Sequence, residues 1–73
     1  MAKNSKNAVY RVTDVIGTSS ESWEAAARSA VNTASKSLRD LRIAEVTKLD
    51  VKIDKGKVTQ FRTRLSLSFK YGA

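Results

Sequence analysis

The most constraining feature of this chain is an unbroken alternation of apolar and polar side chains from Thr59 to Tyr71. A period of two residues is typical of a β-strand that buries one face and exposes the other. The apolar set is Thr59, Phe61, Thr63, Leu65, Leu67, Phe69 and Tyr71, and it alternates with Gln60, Arg62, Arg64, Ser66, Ser68 and Lys70. The pattern predicts a strand of about a dozen residues, whose apolar face the other elements must cover.

Two elements are predicted near the start of the chain. Residues 8–16 are rich in β-branched and aromatic side chains and predict a first strand, which Gly17 is expected to end. Apolar residues at spacings of three and four predict a helix over residues 21–38. Thr18 and Glu21 have the spacing of a capping box, and the serines between them compete as caps. The apolar stripe is mostly alanine, so the helix can lie close to the strand beneath it.

The middle of the chain predicts a second strand and a hairpin. Residues 43–54 return to a period of two, and the apolar positions change parity near Thr47-Lys48, which indicates a bulge or a sharp bend. Asp54-Lys55-Gly56 has the composition of a tight turn into the last strand. The predicted class is therefore α+β in the order β-α-β-β, with one helix covering one face of a three-stranded sheet. Residues 1–7 are expected to form a mobile tail before a single domain at 8–73.

The length and the missing residue types restrict the function. A domain of 73 residues buries only roughly 60% of its unfolded surface, and small folds gain stability from disulfides, metals or oligomerisation. Because the chain has no cysteine and no histidine, it lacks disulfides, Cys zinc sites and the commonest general base. It also lacks paired carboxylates at helical spacing and a phosphate-binding glycine loop. We therefore predict a homo-oligomer that is not an enzyme.

The charge of the chain indicates what it binds. The formal net charge is +7, from 14 Lys and Arg against 7 Asp and Glu, which favours anionic partners. The basic residues are spread along the chain, and no run of about 18 apolar residues could cross a bilayer, so no membrane partner is expected. The polar start of the chain has no apolar segment of the signal-peptide kind. These features predict a cytoplasmic protein.

Four short segments resemble one family, the dodecins, over residues from about Val9 to Tyr71. They are Val15-Ile16-Gly17-Thr18-Ser19, Trp23-Glu24-Ala25-Ala26, Ala44-Glu45-Val46 and Ser68-Phe69-Lys70. The resemblance implies a three-stranded antiparallel sheet wrapped partly around one helix, with twelve copies forming a hollow shell. It also implies storage of a flavin (riboflavin or FMN) in pairs at two-fold axes, stacked on tryptophan. Some members of the family bind coenzyme A or metal ions, including calcium.

The resemblance assigns candidate cofactor-binding residues and shows a departure from the flavin pattern. Ile43 occupies the position of the stacking tryptophan. Arg62 occupies the position of a glutamine that contacts the edge of the isoalloxazine ring, and Lys48 occupies a further position of the flavin site. Glu45 and Arg64 complete the candidate set. The chain therefore resembles a branch without the stacking tryptophan, and we expect it to bind flavin with weakened affinity. FMN is favoured over riboflavin because its phosphate suits the positive charge.

Other ligands remain open. A shell of this fold could bind a metal ion such as calcium, or another anion, or serve only structurally. Glu45, Asp50 and Asp54 are the candidate calcium ligands, but calcium requires six to eight oxygens and one chain has no dense acidic loop, so no metal site is assigned. A basic nucleic-acid-binding module is less favoured, because Phe61 and the Arg62 and Arg64 side chains have opposite parity in the last strand.

Overall fold

The computed structural model describes residues 7–70, which form four elements in the predicted order β-α-β-β. The elements are β1 (Tyr10–Ser19), α1 (Trp23–Ala34), β2 (Leu41–Asp54) and β3 (Lys57–Lys70). Tyr71 and residues 1–6 of the predicted tail lie outside the described residues. Within residues 7–70, no helix has the length and hydropathy needed to span a membrane.

The three strands form one antiparallel sheet with the order β1-β3-β2. The strand with the strictest alternation, β3, is the central one, and it pairs with β1 from Lys70 opposite Tyr10 to Phe61 opposite Ser19. Its Leu65 and Leu67 side chains are buried and form the core with Ala30 of the helix. The central position explains the strict pattern, because β3 has a neighbour on both edges and one face buried at Thr63, Leu65 and Leu67.

The helix is shorter than its apolar periodicity predicted, and its cap is a different residue. Ser22 is the N-cap, and its hydroxyl accepts a hydrogen bond from the Ala25 N–H at 3.0 Å. The Thr18–Glu21 capping box is therefore wrong, because the chain remains in β1 through Ser19. At the other end, α1 stops at Ala34. Ser35 turns its hydroxyl back onto a backbone carbonyl of the last turn, an interaction that competes with helical hydrogen bonding.

Gly17 lies inside β1 and does not end it, contrary to the prediction. It is buried where α1 crosses the strand, and a Cβ placed on it would overlap the Ala26 carbonyl oxygen and lie 2.9 Å from the Ala30 Cβ. Ala26 and Ala30 are both buried at this crossing. The alanine stripe therefore does bring the helix close to the sheet, and Gly17 is the residue that permits this approach.

The hairpin between β2 and β3 follows the prediction. Lys55 and Gly56 form its two-residue turn with φ values of 50° and 77°, the positive values that such hairpins require. The register of β2 on β3 shifts between Val46 and Lys48, which confirms the predicted bulge. Thr47 is the inserted residue, and its hydroxyl donates to the Arg64 carbonyl oxygen at 3.2 Å.

The helix does not cover the whole sheet. Leu41 at the start of β2 packs against the core, but Val46 and Leu49 further along β2 stay half exposed on the side that faces the helix. A single copy therefore leaves an apolar groove between α1 and β2, lined by Ala27, Val31, Ala44 and Val46. Uncovered apolar surface of this kind is typical of an interaction surface.

Gly17→Ala is expected to destabilise the protein by about 1–3 kcal/mol, because α1 must move off β1 to admit a methyl group. Gly56→Ala is the matched control, since nothing lies within 4 Å of its added Cβ and only the positive φ costs about 1–2 kcal/mol. Urea unfolding measures both. Only Gly17→Ala should also change the near-UV signal of Trp23, and an unchanged signal would contradict the close packing of the helix.

Candidate binding face

The candidate residues lie on the face of the sheet that points away from α1, here called the outer face. Residues directly opposite each other in an antiparallel ladder share a face, so the register defines rows that run across β1, β3 and β2. These rows are Val12–Ser68–Ile43, Asp14–Ser66–Glu45, Ile16–Arg64–Lys48 and Thr18–Arg62–Asp50. The five predicted residues, Ile43, Glu45, Lys48, Arg62 and Arg64, fall in these four neighbouring rows. Their placement on one face is shown, and their role in binding remains a prediction.

The bulge at Thr47 is what brings Glu45 and Lys48 to the same face. Residues three positions apart in a regular strand point to opposite sides of the sheet. Because Thr47 is inserted, Glu45 pairs with Ser66 and Lys48 pairs with Arg64, two residues of β3 that share the outer face. Ile43 lies two residues before Glu45 in an unbroken stretch of the ladder, so it shares the outer face in the next row.

The position where the family resemblance implies a stacking tryptophan is exposed and aliphatic here. Ile43 is 62% exposed and lies opposite Ser68 on β3. The one tryptophan of the chain, Trp23, lies on the opposite side of the sheet, where its ring meets Phe61 edge-on with centroids 5.1 Å apart. Its indole N–H donates to the Asp50 carbonyl oxygen at 3.0 Å. Neither Trp23 nor Phe61 is available as a stacking platform on the outer face.

The Arg62 side chain is already paired. Its Nε lies 2.7 Å from Asp50 Oδ1 and its Nη2 lies 3.1 Å from Asp50 Oδ2, so two of its donors form a fork on one carboxylate. The hydrogen bond from Arg62 lowers the pKa of Asp50 below its ordinary value; desolvation opposes this effect, and the charges of Arg62 and Arg64 add to it. Arg62 therefore presents fewer free donors to a ligand than its position predicted.

The candidate calcium ligands do not converge within one copy. Glu45 lies in the middle of β2, Asp50 is bound to Arg62, and Asp54 lies next to the hairpin turn. Among residues 7–70 there is no group of three acidic side chains that could hold a metal ion. The sequence reasoning did not select Asp14, whose Oδ1 accepts a hydrogen bond from the Ser66 hydroxyl at 2.6 Å. The sequence does contain a signal for this placement, because Asp14 has the same parity as Val12 and Ile16 and therefore lies on their face of β1.

The geometry also separates the features of a nucleic-acid interface. Phe61 packs against Trp23 on the helix side, while Arg62 and Arg64 lie on the outer face. Recognition of single-stranded RNA on a sheet requires stacking rings and basic groups on one surface. The two are on opposite surfaces here, as their parity predicted.

Fold and sequence together define a small β-α-β-β protein of a known class. A family model described as Dodecin matches residues 9–72, so the chain belongs to the dodecin family. It is 49% identical over 63 residues to the calcium dodecin of Mycobacterium tuberculosis, a match that covers 85% of this chain and 87% of that protein.

Solved structures agree with this assignment. Dodecin from Streptomyces coelicolor is similar with a TM-score of 0.86 and 40% identity, covering 93% of this chain and 97% of that chain. Dodecin from Streptomyces davaonensis has a TM-score of 0.85 and 31% identity, covering 93% of this chain and 100% of that one. The crystal structure of the calcium-chelating M. tuberculosis calcium dodecin, described with a calcium-binding site, has a TM-score of 0.77 and 48% identity and covers 85% of this chain and 89% of its own.

The Asp50–Arg62 fork predicts the titration of Asp50. Its lowered pKa means that the ion pair contributes stability above the unfolded pKa of aspartate and loses it as the pH falls through the lowered value. Arg62→Gln is expected to return the pKa of Asp50 towards its ordinary value. Arg64→Gln is the matched control and should raise it less, because Arg64 acts only through its charge. Carboxyl NMR titration measures both, and an equal response to both variants would contradict the fork.

Proposed function

We propose that this protein is a homo-oligomeric shell that binds a small ligand, and that this ligand is calcium rather than a flavin. The observation that carries the proposal is the 49% identity over 63 residues to a protein named calcium dodecin. The outer face supports it, since Ile43 provides no aromatic ring for stacking a flavin. The shell binds and stores its ligand and is not an enzyme, and the same proposal places it in the cytoplasm.

Self-association is supported by the surface that one copy leaves uncovered. Both edges of the sheet are free strands, because β1 and β2 each pair only with β3, and free edges favour pairing or cover by another chain. The groove between α1 and β2 is apolar, and Val46 along it is half exposed. Additional copies would cover these surfaces, and twelve copies in a hollow shell is the number that the family resemblance implies.

A calcium site in this protein must be shared between copies. Calcium takes six to eight oxygen ligands at about 2.3–2.6 Å, and residues 7–70 of one copy contain no acidic group of three. Carboxylates from neighbouring copies can meet at a symmetry axis and provide the missing ligands. Assembly and calcium binding are then coupled, because the site exists only in the oligomer.

Flavin binding is the second candidate, and two observations weaken it. Stacking on an aromatic ring contributes about 0.5–1.5 kcal/mol beyond burial, and Ile43 cannot provide it. Arg62, at the position expected to contact the edge of the flavin ring, is held by Asp50 through two hydrogen bonds. FMN is favoured over riboflavin for the weak binding that remains, since the net charge of the chain is +7.

Calcium is expected to raise the melting temperature of the chelator-washed protein by about 5 °C or more at saturating concentration, because an ion that binds only the native oligomer stabilises it. Magnesium at the same concentration is the control. It should give a smaller shift, because it demands octahedral geometry and loses its water reluctantly. Differential scanning calorimetry measures both shifts. Equal shifts for the two ions, or no shift with calcium, would overturn the calcium proposal.

Ile43→Trp is expected to strengthen FMN binding by about 2- to 10-fold, the range that one stacking contact provides. Adding Arg62→Gln should strengthen it further, because the amide can reach the ring edge without competing with Asp50. Ile43→Leu is the matched control and should leave binding unchanged. Quenching of FMN fluorescence measures all three. If the tryptophan and leucine variants bind equally, stacking is not the missing contact.

A further inference from the structure

A second groove lies between α1 and the free edge of β1, on the other side of the helix from β2. We call it the β1 groove. Its β1 side is formed by Thr13 and residues 15–18, and its α1 side by Ser29, Ala30, Thr33, Ala34, Ser37 and Leu38. Its volume is about 500 Å³, and none of its eleven lining residues is charged or aromatic. The lining therefore suits neither a metal ion nor a phosphate, and it offers no ring on which a flavin could stack.

The β1 side of this groove is an unprotected strand edge. β1 pairs only with β3, over ten residues and without a register shift, so the N–H and C=O groups of alternate residues point away from the sheet. Proteins usually protect such an edge with lysine, proline or a bulge. Residues 15–19 carry no charge and no proline, so this part of the edge can pair with another extended chain.

The α1 side presents hydroxyl groups at a spacing that suits an extended backbone. Ser29 and Thr33 are exposed and lie four residues apart on the helix. Within residues 7–70, neither hydroxyl forms a hydrogen bond. Four helical residues span about 6 Å, and the backbone groups on one edge of a strand repeat about every 6.8 Å. Because a hydroxyl both donates and accepts, the two side chains can bond the far edge of a strand that pairs with β1.

The floor of the β1 groove selects side chains. It is formed by Ala30, Ala34 and Leu38 beside Val15, which all belong to the core or pack against it. Side chains of a strand alternate between its two faces, so every second side chain of an added strand meets this apolar floor. Small or aliphatic residues fit at those positions.

The charges at one end of the groove favour an acidic residue. Gly17 meets α1 at Ala26, so Leu38, much further along the chain, marks the end of the groove nearer the start of β1. Lys36 and Arg39 are exposed next to this end. A strand antiparallel to β1, the more stable direction of pairing, has its C-terminal end there. An acidic residue at that end complements the two positive charges.

We propose that the β1 groove binds an extended peptide segment of another protein, which joins the sheet as a fourth strand beside β1. The segment has small or aliphatic residues at alternate positions and an acidic residue at its C-terminal end. The edge strands of a second copy fit less well, because its β1 would carry α1 into the groove and its β2 is interrupted by three register shifts. The inference goes beyond the proposed shell and narrows its self-association, since further copies then cover the β2 side and β1 takes a different chain.

A synthetic peptide tests the groove. The probe alternates serine and valine and ends in aspartate, and in its matched control proline replaces the inner serines, which removes N–H groups that a ladder requires. Fluorescence anisotropy of the labelled peptides with the full chain in EGTA should show that the control binds about 10-fold or more weakly. Hydrogen exchange should show that the probe protects alternate amides of residues 13–18 and none on β2.

Two variants of the chain test the α1 side. Thr33→Val removes a hydroxyl at nearly constant shape and should weaken binding of the probe by about 2- to 10-fold, the range that one hydrogen bond provides. Ser35→Ala is the matched control, because the Ser35 hydroxyl bonds the Asn32 carbonyl oxygen and does not line the groove. It should leave binding unchanged.

The other outcomes overturn the proposal. They are a probe that does not bind, equal binding of the serine and proline peptides, protection on β2 instead of β1, and equal effects of the two variants. Protection of all amides of residues 13–18 before the probe is added also overturns it, because a second copy then covers the edge. Native mass spectrometry of the same samples measures self-assembly separately, so a monomer that binds the probe contradicts the shell and supports the groove.

Discussion

The structure depends on the central position of β3. This strand is hydrogen-bonded on both edges, and its two faces serve different purposes along its length. Leu65 and Leu67 form the core beneath α1, while the residues between and beside them, including Arg64 and Ser66, lie on the outer face. A change of one residue in its register would exchange these sets and bury charge under the helix, so the core and the outer face are specified by the same alternation.

The bulge at Thr47 determines which side chains of β2 lie on each face of the sheet. On the helix side, it lets Val46 and Leu49 both face α1 although they are three residues apart, and on the outer side it does the same for Glu45 and Lys48. A bulge costs a regular ladder position, and the bond from the Thr47 hydroxyl to the Arg64 carbonyl offsets part of that loss. One insertion therefore sets which side chains of β2 face the helix and which lie on the outer face.

What the sequence predicted correctly is what short-range periodicity records. The alternation of β3, the parity change at Thr47 and the turn at Gly56 each depend on neighbours in the chain, and each is confirmed. The errors have a common cause, since they depend on contacts between elements. Gly17 was interpreted as a strand end because glycine often breaks strands, whereas its role is to admit α1 at the Ala26 backbone.

In the candidate site too, the sequence predicts the features that depend on local pattern and misses those that depend on contacts between strands. The outer-face position of Arg62 and Arg64 follows from parity alone. The fork between Arg62 and Asp50 does not, because the two residues are opposite each other only after the register shift between Lys52 and Ile53 near the hairpin. Asp14 was overlooked for the same reason, since its neighbour Ser66 is distant in sequence and adjacent only across the sheet.

Pairing within the outer face also bears on which ligands a fold of this kind can select. An arginine held by two hydrogen bonds contributes little to ligand binding, because a ligand must replace a charge-assisted pair before it gains any contact. Such a pair therefore disfavours any ligand that has to displace Asp50 before it can bind Arg62.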